Sequence, residues 1–228
     1  MSTIVANVVS DVASWVGDAF TELSEWIEDT SSAWWFPLVI FAVALLDSVL
    51  PVVPGETTVI AGGVAAGAGE QNLAIVILAG ALGAFIGDNL AYTIGNSFKG
   101  RVREWAERRP ARVARLDSAA QQIRKRGGLL LITARFIPGG RTILTVSSGI
   151  TDQPRRWFAF WVAIAGLIWA SYAAILGYIF GQAFEDDHTL AFWLAFGTAL
   201  SVTLLVELIR WVRERTTAAD DAEAPSSA

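Results

Sequence analysis

Arg135-Phe136-Ile137-Pro138-Gly139-Gly140-Arg141 lies inside an otherwise apolar stretch, and its reading decides the fold. Two arginines flank a Pro-Gly-Gly break. On insertion scales an arginine at the centre of a membrane helix costs about 2.5–3.5 kcal/mol. The break also frees backbone N–H and C=O groups that hydrocarbon cannot satisfy. A membrane segment that keeps both costs together is expected to hold a binding or transport site.

Composition supports the membrane setting. Hydrophobic residues make up 54% of the 228, and only 17% are charged, below the roughly 25% of soluble domains. The balance points to an integral membrane protein of one compact domain. Net charge is −5, but acids and bases are segregated along the chain, so the sum says little. With no cysteine, disulfides, thiol nucleophiles and iron–sulfur clusters are excluded. The one histidine, His188, ends the acidic run Glu185-Asp186-Asp187 and reads as a loop residue. A zinc site needs more ligands nearby, so neither a metal nor a cofactor is expected.

Working outward from the break gives the segment order. Residues 1–32 read as an amphipathic N-terminal helix: Val5, Val8, Val12, Val16, Leu23 and Ile27 recur at helical steps, with Asp18, Glu22 and Glu25 largely off that stripe. It lacks the basic start of a signal peptide. Residues 33–69 form two short apolar arms around Pro51-Val52-Val53-Pro54-Gly55-Glu56. Each arm falls short of the roughly 20 residues a full crossing needs, so a re-entrant hairpin is predicted; two full spans are the alternative. Residues 72–98 form a span, in which Gly80, Gly83 and Gly87 permit close helix approach. Residues 99–126 hold ten of the seventeen lysines and arginines, which places them in the cytoplasm as two interfacial helices broken at Pro110. Residues 128–150 form the second re-entrant element. Residues 157–183 span outward and 189–210 span back, giving about three full spans, and 213–228 form a disordered tail. The predicted fold is an all-α polytopic membrane protein with two oppositely oriented re-entrant helical hairpins, an inverted repeat around a midplane site.

The two breaks are complementary in charge. Asp47 and Glu56 bracket one, and Arg135 and Arg141 bracket the other. Pro51, Pro54, Gly55 and Pro138 make the interruptions. If the tips meet, the acids hold the arginines between substrates. The arginines, with the backbone of Gly139 and Gly140, are candidates for gripping a phosphate bidentately. Half-helix N-termini near Gly55 and Gly140 add positive dipole ends. Asp88 reads either as a third charge-pairing or proton-coupling acid or as a satisfied polar group in a helix contact. Thr142, Thr145, Ser147 and Ser148 are expected to bond to carbonyls freed by the break, and the tryptophans to form interfacial belts.

These residues resemble the DedA family, also called the VTT or SNARE-associated Golgi protein domain, over about residues 34–210. The likeness rests on Asp47 with Pro54-Gly55-Glu56, on Gly87-Asp88 with Tyr92 and Gly95, and on the Arg135–Arg141 motif. Family members often carry Glu where Asp47 stands. The resemblance implies a lipid translocase of the bacterial cytoplasmic membrane, recycling undecaprenyl phosphate or moving phospholipid, with protons as a coupling partner. It also implies that Asp47, Glu56, Arg135 and Arg141 are the functional charges. A homodimer is compatible with this reading, and nothing points to nucleic acid. An enzyme is not expected, because the chain has neither a His/Cys cluster nor a Ser–His arrangement in a membrane segment. The alternatives are a proton-coupled carrier of small solutes or drugs, which two arginines oppose if the solute is cationic, and a structural assembly factor.

Overall fold

In the computed structural model, residues 30–50, 55–126, 128–136, 140–184 and 189–201 are described, and every regular element among them is helical. The predicted N-terminal helix lies almost wholly outside them. So do Pro51, Pro54, Pro138, Gly139, the acidic run 185–188 and the tail. The helices are α1 (Phe36–Val49), α2 (Gly55–Gly67), α3 (Leu73–Glu107), α4 (Pro110–Arg126), α5 (Gly128–Thr133), α6 (Gly140–Ile150), α7 (Arg155–Ala183) and α8 (Thr189–Ser201). A 3-10 turn, Ala134–Phe136, follows α5.

Local sequence explains the boundaries. Pro37 occupies the first turn of α1, where its missing N–H costs nothing. The helix stops at Leu50, which is extended, because Pro51 disfavours helical backbone in the residue before it. Asn72 caps α3, its side chain accepting from the N–H of Ala74 at 2.9 Å and of Ile75 at 3.3 Å. One boundary differs from expectation. The basic stretch after residue 98 does not open a separate interfacial helix; α3 runs on to Glu107. No proline intervenes before Pro110, and Arg103 pairs with Glu107 one turn on at 3.5 Å, which supports the extension. Pro110 then starts α4.

The polarity of α3 is inside out for a soluble helix. Ile75, Leu78, Leu82, Ile86, Leu90 and Ile94 are exposed, whereas Gly80, Gly83, Ala84, Gly87 and Asp88 are buried. An exposed leucine–isoleucine ridge over a small, polar interior suits lipid as the outer solvent. Among the described residues, α3 and α7 are long and apolar enough to cross a membrane. The helices α1 and α2, of 14 and 13 residues, are shorter than a crossing requires. Only part of the expected third span, 189–210, is described, as α8.

Glycine contacts set the packing. The carbonyls of Phe41 and Leu45 on α1 rest against Gly83 and Gly87 of α3, so α1 runs parallel to α3. Gly63 of α2 meets the carbonyl of Ala174 on α7, and Gly177 meets that of Ile60. The same reciprocal contact recurs between α6 and α3, where Gly149 meets the carbonyl of Tyr92 and Gly95 that of Val146. In both interfaces each helix offers a carbonyl and, three residues later, the glycine that receives its partner's carbonyl. Without a Cβ at these points the backbones come within direct contact, which is how membrane helices gain packing energy. The long helices are antiparallel, since Gly80 lies beside Ala170 while Gly166 lies beside Ala84. The pair α1–α2 therefore ascends along α3 and returns along α7. The pair α5–α6 runs the other way: it descends along α7, with Gly128 against Trp161, and returns upward along α3.

A leucine at Gly177 would force α2 away from α7 at the Ile60 backbone, which cannot move aside alone. Gly177→Leu is expected to destabilise the fold by about 3 kcal/mol, the upper range for overpacking. Gly197→Leu, at a position with open space around it, should cost almost nothing. Thermal unfolding of both variants in detergent checks the pair, and equal melting temperatures would refute the close-contact argument.

Candidate functional site

The charges gather about halfway along α3 and α7, where the end of α1, the start of α2, the 3-10 turn and the start of α6 come together. Because Gly87 carries no side chain, α1 settles onto α3 and Ser48 reaches across. Its hydroxyl lies 3.1 Å from the Ala44 carbonyl and 3.3 Å from the Ala84 carbonyl. That contact puts Asp47 beside Asp88. Gly55, the first residue of α2, makes room for Asp47: a Cβ there would lie 2.6 Å from an Asp47 carboxylate oxygen. Asp47 thus sits against a helix N-terminus, whose free N–H groups and dipole favour an anion.

From the other side, the 3-10 turn delivers Arg135 and the start of α6 delivers Arg141. Arg135 Nη1 donates to Asp88 Oδ2 at 2.7 Å, with both side chains 1% exposed. Its guanidinium also lies 5.2 Å from the centroid of the Trp169 ring on α7, within cation–π range. Arg141 Nη2 lies 3.2 Å from Asp47 Oδ2 and its Nε 3.7 Å from Asp88 Oδ1. The result is a neutral chain, Asp47–Arg141–Asp88–Arg135, contributed by four elements. It is graded in access: Arg141 and Asp47 are 12% and 18% exposed, whereas the Asp88–Arg135 end is sealed.

The chain is not saturated. Among the described residues, Nε and Nη2 of Arg135 have no hydrogen-bond partner, and neither does Oδ1 of Asp88. Buried donors left unmade are costly, so two unused N–H-bearing nitrogens beside a partly open arginine mark a place for an acceptor-rich group.

The placement of the expected residues differs in one respect. Arg135, Arg141 and Asp47 come together, but the acid they share is Asp88 and not Glu56. Glu56, in the first turn of α2, makes no ion pair among the described residues. The charge it senses is Asp47, a like one, and it in turn acts on Tyr172 of α7. Gly140 opens α6, half-buried. The hydroxyls of Thr145 and Ser148 donate to Arg141 and Leu144 carbonyls one turn back in their own helix, so these two hydroxyls do not serve the break. Ordinary helical geometry offers them those carbonyls at no cost in reach.

Two contributors escaped sequence reading. Trp169 is buried and carries a guanidinium, whereas Trp34 is 85% exposed as a belt residue would be. Its position halfway along the apolar run 157–183 was the available signal. Gln153 is buried too. Tyr92 donates to its carbonyl at 2.6 Å and packs on Phe158 at 4.6 Å, while Gln153 Nε2 reaches the Ala120 carbonyl at 3.3 Å. This joint anchors the far end of α6 to α3, α4 and α7.

Residues 53–179, more than half the chain, match the VTT domain. The chain belongs to the DedA family. It is 28% identical to Protein DedA of Escherichia coli strain K12 over 152 residues, 64% of this chain and 69% of that one. Its identity to the inner membrane protein YohD of the same strain is 29% over 167 residues, 71% of this chain and 83% of the relative. The inner membrane protein YghB of that strain is 29% identical over 173 residues, 71% and 77% of the two chains. No solved structure matches. These relatives and the lipid-facing ridges identify a bacterial membrane protein, consistent with a transport-related role. The matched VTT segment includes Glu56, Asp88, Arg135 and Arg141; Asp47, which completes the charge chain, precedes it.

Proposed function

We propose that this DedA-family protein is a lipid translocase, in which Arg135 and Arg141 bind the phosphate of a membrane lipid midway across the bilayer. The substrate is undecaprenyl phosphate or a phospholipid, and the setting is the bacterial cytoplasmic membrane, crossed several times by the chain. The observation that carries the reading is the buried Arg135 guanidinium with Nε and Nη2 unused, next to the more open Arg141. A phosphate oxygen entering along Arg141 meets both arginines, and its charge replaces that of Asp47 on Arg141. Guanidinium stays charged at this depth and offers paired donors. Lysine would offer a point charge only.

In this reading the α1–α2 and α5–α6 pairs are re-entrant hairpins entering from opposite faces. Their lengths, and their opposed directions along α3 and α7, support that placement. Asp47 is the acid that exchanges with substrate, and its protonation would release Arg141 and link transport to the proton gradient. Glu56 is near enough to Asp47 for the two charges to interact and makes no ion pair among the described residues, which suits a proton donor to Asp47. Asp88, sealed from solvent, has the structural part: it holds Arg135 in place through Nη1 and leaves Nε and Nη2 for the phosphate.

The test is leaflet exchange in liposomes carrying labelled undecaprenyl phosphate, and in parallel labelled phosphatidylglycerol, on one leaflet. Folded protein should accelerate exchange of at least one lipid tenfold or more over empty vesicles. Rates equal to those of empty vesicles for both lipids would overturn the reading.

A further inference from the structure

We propose a second phosphate site, separate from the central charge chain, where α3, α4 and the turn after α6 meet at one end of the bundle. A cavity of about 380 Å³ lies there, and its walls include Lys99, Arg103, Arg124 and Thr151 together with Asp117 and Asp152. Lys99 holds Asp152 at 3.0 Å and Arg103 reaches Glu107 at 3.5 Å. Three cations and two carboxylates line the cavity and Glu107 meets Arg103 from outside its walls, so the cation there without an ion pair among the described residues is Arg124. Two guanidinium groups, an ammonium and a hydroxyl around one cavity match the several acceptor oxygens of a phosphate. Asp152 is the acid the incoming anion would displace from Lys99. The backbone of Asp152 has a positive φ of 54°, which fixes the turn that aims its side chain at Lys99.

The cavity's level in the membrane follows from α3. Lys99 and Arg103 lie 11 and 15 residues beyond Asp88 on that helix, a rise of about 16–22 Å at 1.5 Å per residue. Half the hydrocarbon thickness is about 15 Å. With Asp88 at the midplane, as the proposed function has it, the cavity opens in the headgroup layer. An independent marker agrees: Trp105, on the same stretch of α3, is exposed with the Arg112 guanidinium 3.9 Å from its ring centroid, an arrangement suited to a membrane interface. The ligand is therefore a phosphate group at the membrane surface, carried by an anionic lipid or free in solution.

The experiment uses the full chain in nanodiscs of phosphatidylcholine with one-tenth phosphatidic acid, followed by native mass spectrometry of retained lipid. All chains carry Arg141→Lys, so the central cluster contributes little. The chain with an intact cavity should retain phosphatidic acid over phosphatidylcholine at least fivefold beyond the bulk ratio. Adding Arg103→Gln and Arg124→Gln should abolish that enrichment. Adding Arg108→Gln and Arg109→Gln, an equal loss of charge outside the cavity, should leave it within twofold. Displacement of the lipid by 10 mM inorganic phosphate supports a site that also takes the free ion. Retention against it supports a headgroup site. No enrichment with the cavity intact, or equal loss in both pairs of variants, overturns the proposal. Enrichment at this site together with no lipid exchange by the chain that keeps Arg141 would leave this site standing and remove the translocase reading.

Discussion

Asp88→Asn is expected to lower stability by about 3–5 kcal/mol, the cost of stranding one partner of a buried ion pair. Asp88 serves both arginines, at 2.7 Å and 3.7 Å, and its side chain is 1% exposed. The substitution keeps the shape and removes the charge, which leaves Arg135 in the interior without its ion-pair partner and with the Trp169 ring beside it. On the scaling of soluble domains of this size the melting temperature should fall by about 10 °C. The companion variant decides whether stranded charge is the cause. Asp88→Asn combined with Arg135→Gln removes both ends of the sealed pair, and it should be more stable than Asp88→Asn alone by about 2 kcal/mol. Thermal unfolding in detergent measures both. A double variant no more stable than the single one would show that Asp88 matters through packing against α1 and not through its charge.

Arg141→Lys should behave in the opposite way. The residue is partly open and its contact to Asp47 is 3.2 Å, a distance an ammonium can reproduce. Positive charge is retained, so the fold should stay within about 1 kcal/mol of the native protein, the usual size of a partly exposed ion-pair contribution. Lipid exchange should nevertheless drop about tenfold or more. Losing one bidentate phosphate contact corresponds to roughly 1.5–3 kcal/mol for charged hydrogen bonds. The signature is the split between the two measurements. Exchange at the native rate would remove Arg141 from the substrate site. Loss of folded protein would assign it to holding α6 against α1.

The two outcomes follow from the grading of the charge chain. At the Asp88–Arg135 end, solvent is absent and each charge depends on the other. At the Arg141–Asp47 end the side chains are 12% and 18% exposed, the access that the proposed exchange with an incoming anion requires. Asp88 touches both arginines, so in the proposed translocase one acid is required for stability while Asp47 is the acid that lets go.

Much of this was legible in the chain. Apolar runs broken by Pro-Gly, with small residues at helical spacing, determine helices and their interruptions, because backbone satisfaction and side-chain volume act within a few residues. The charges at Asp47, Arg135 and Arg141 were conspicuous for the same reason: each is expensive where it stands. The continuation of α3 beyond residue 98 was less legible, since a rise in charge marks the membrane boundary but does not end a helix.

The pairing of charges was not legible. Glu56 stands beside the same break as Asp47 and had an equal claim on an arginine by sequence. Close approach at Gly83 and Gly87 instead brings α1 and Asp88 to one level, and the start of α2 carries Glu56 toward Tyr172. Trp169 likewise becomes a support for Arg135 only once α5 lies along α7. The sequence by itself determined the membrane class, the all-helical architecture and the family. Tertiary structure alone decided which acid meets which arginine, because that depends on the register of helices packed through glycine, a contact between residues that are 47 positions apart at the closest pair.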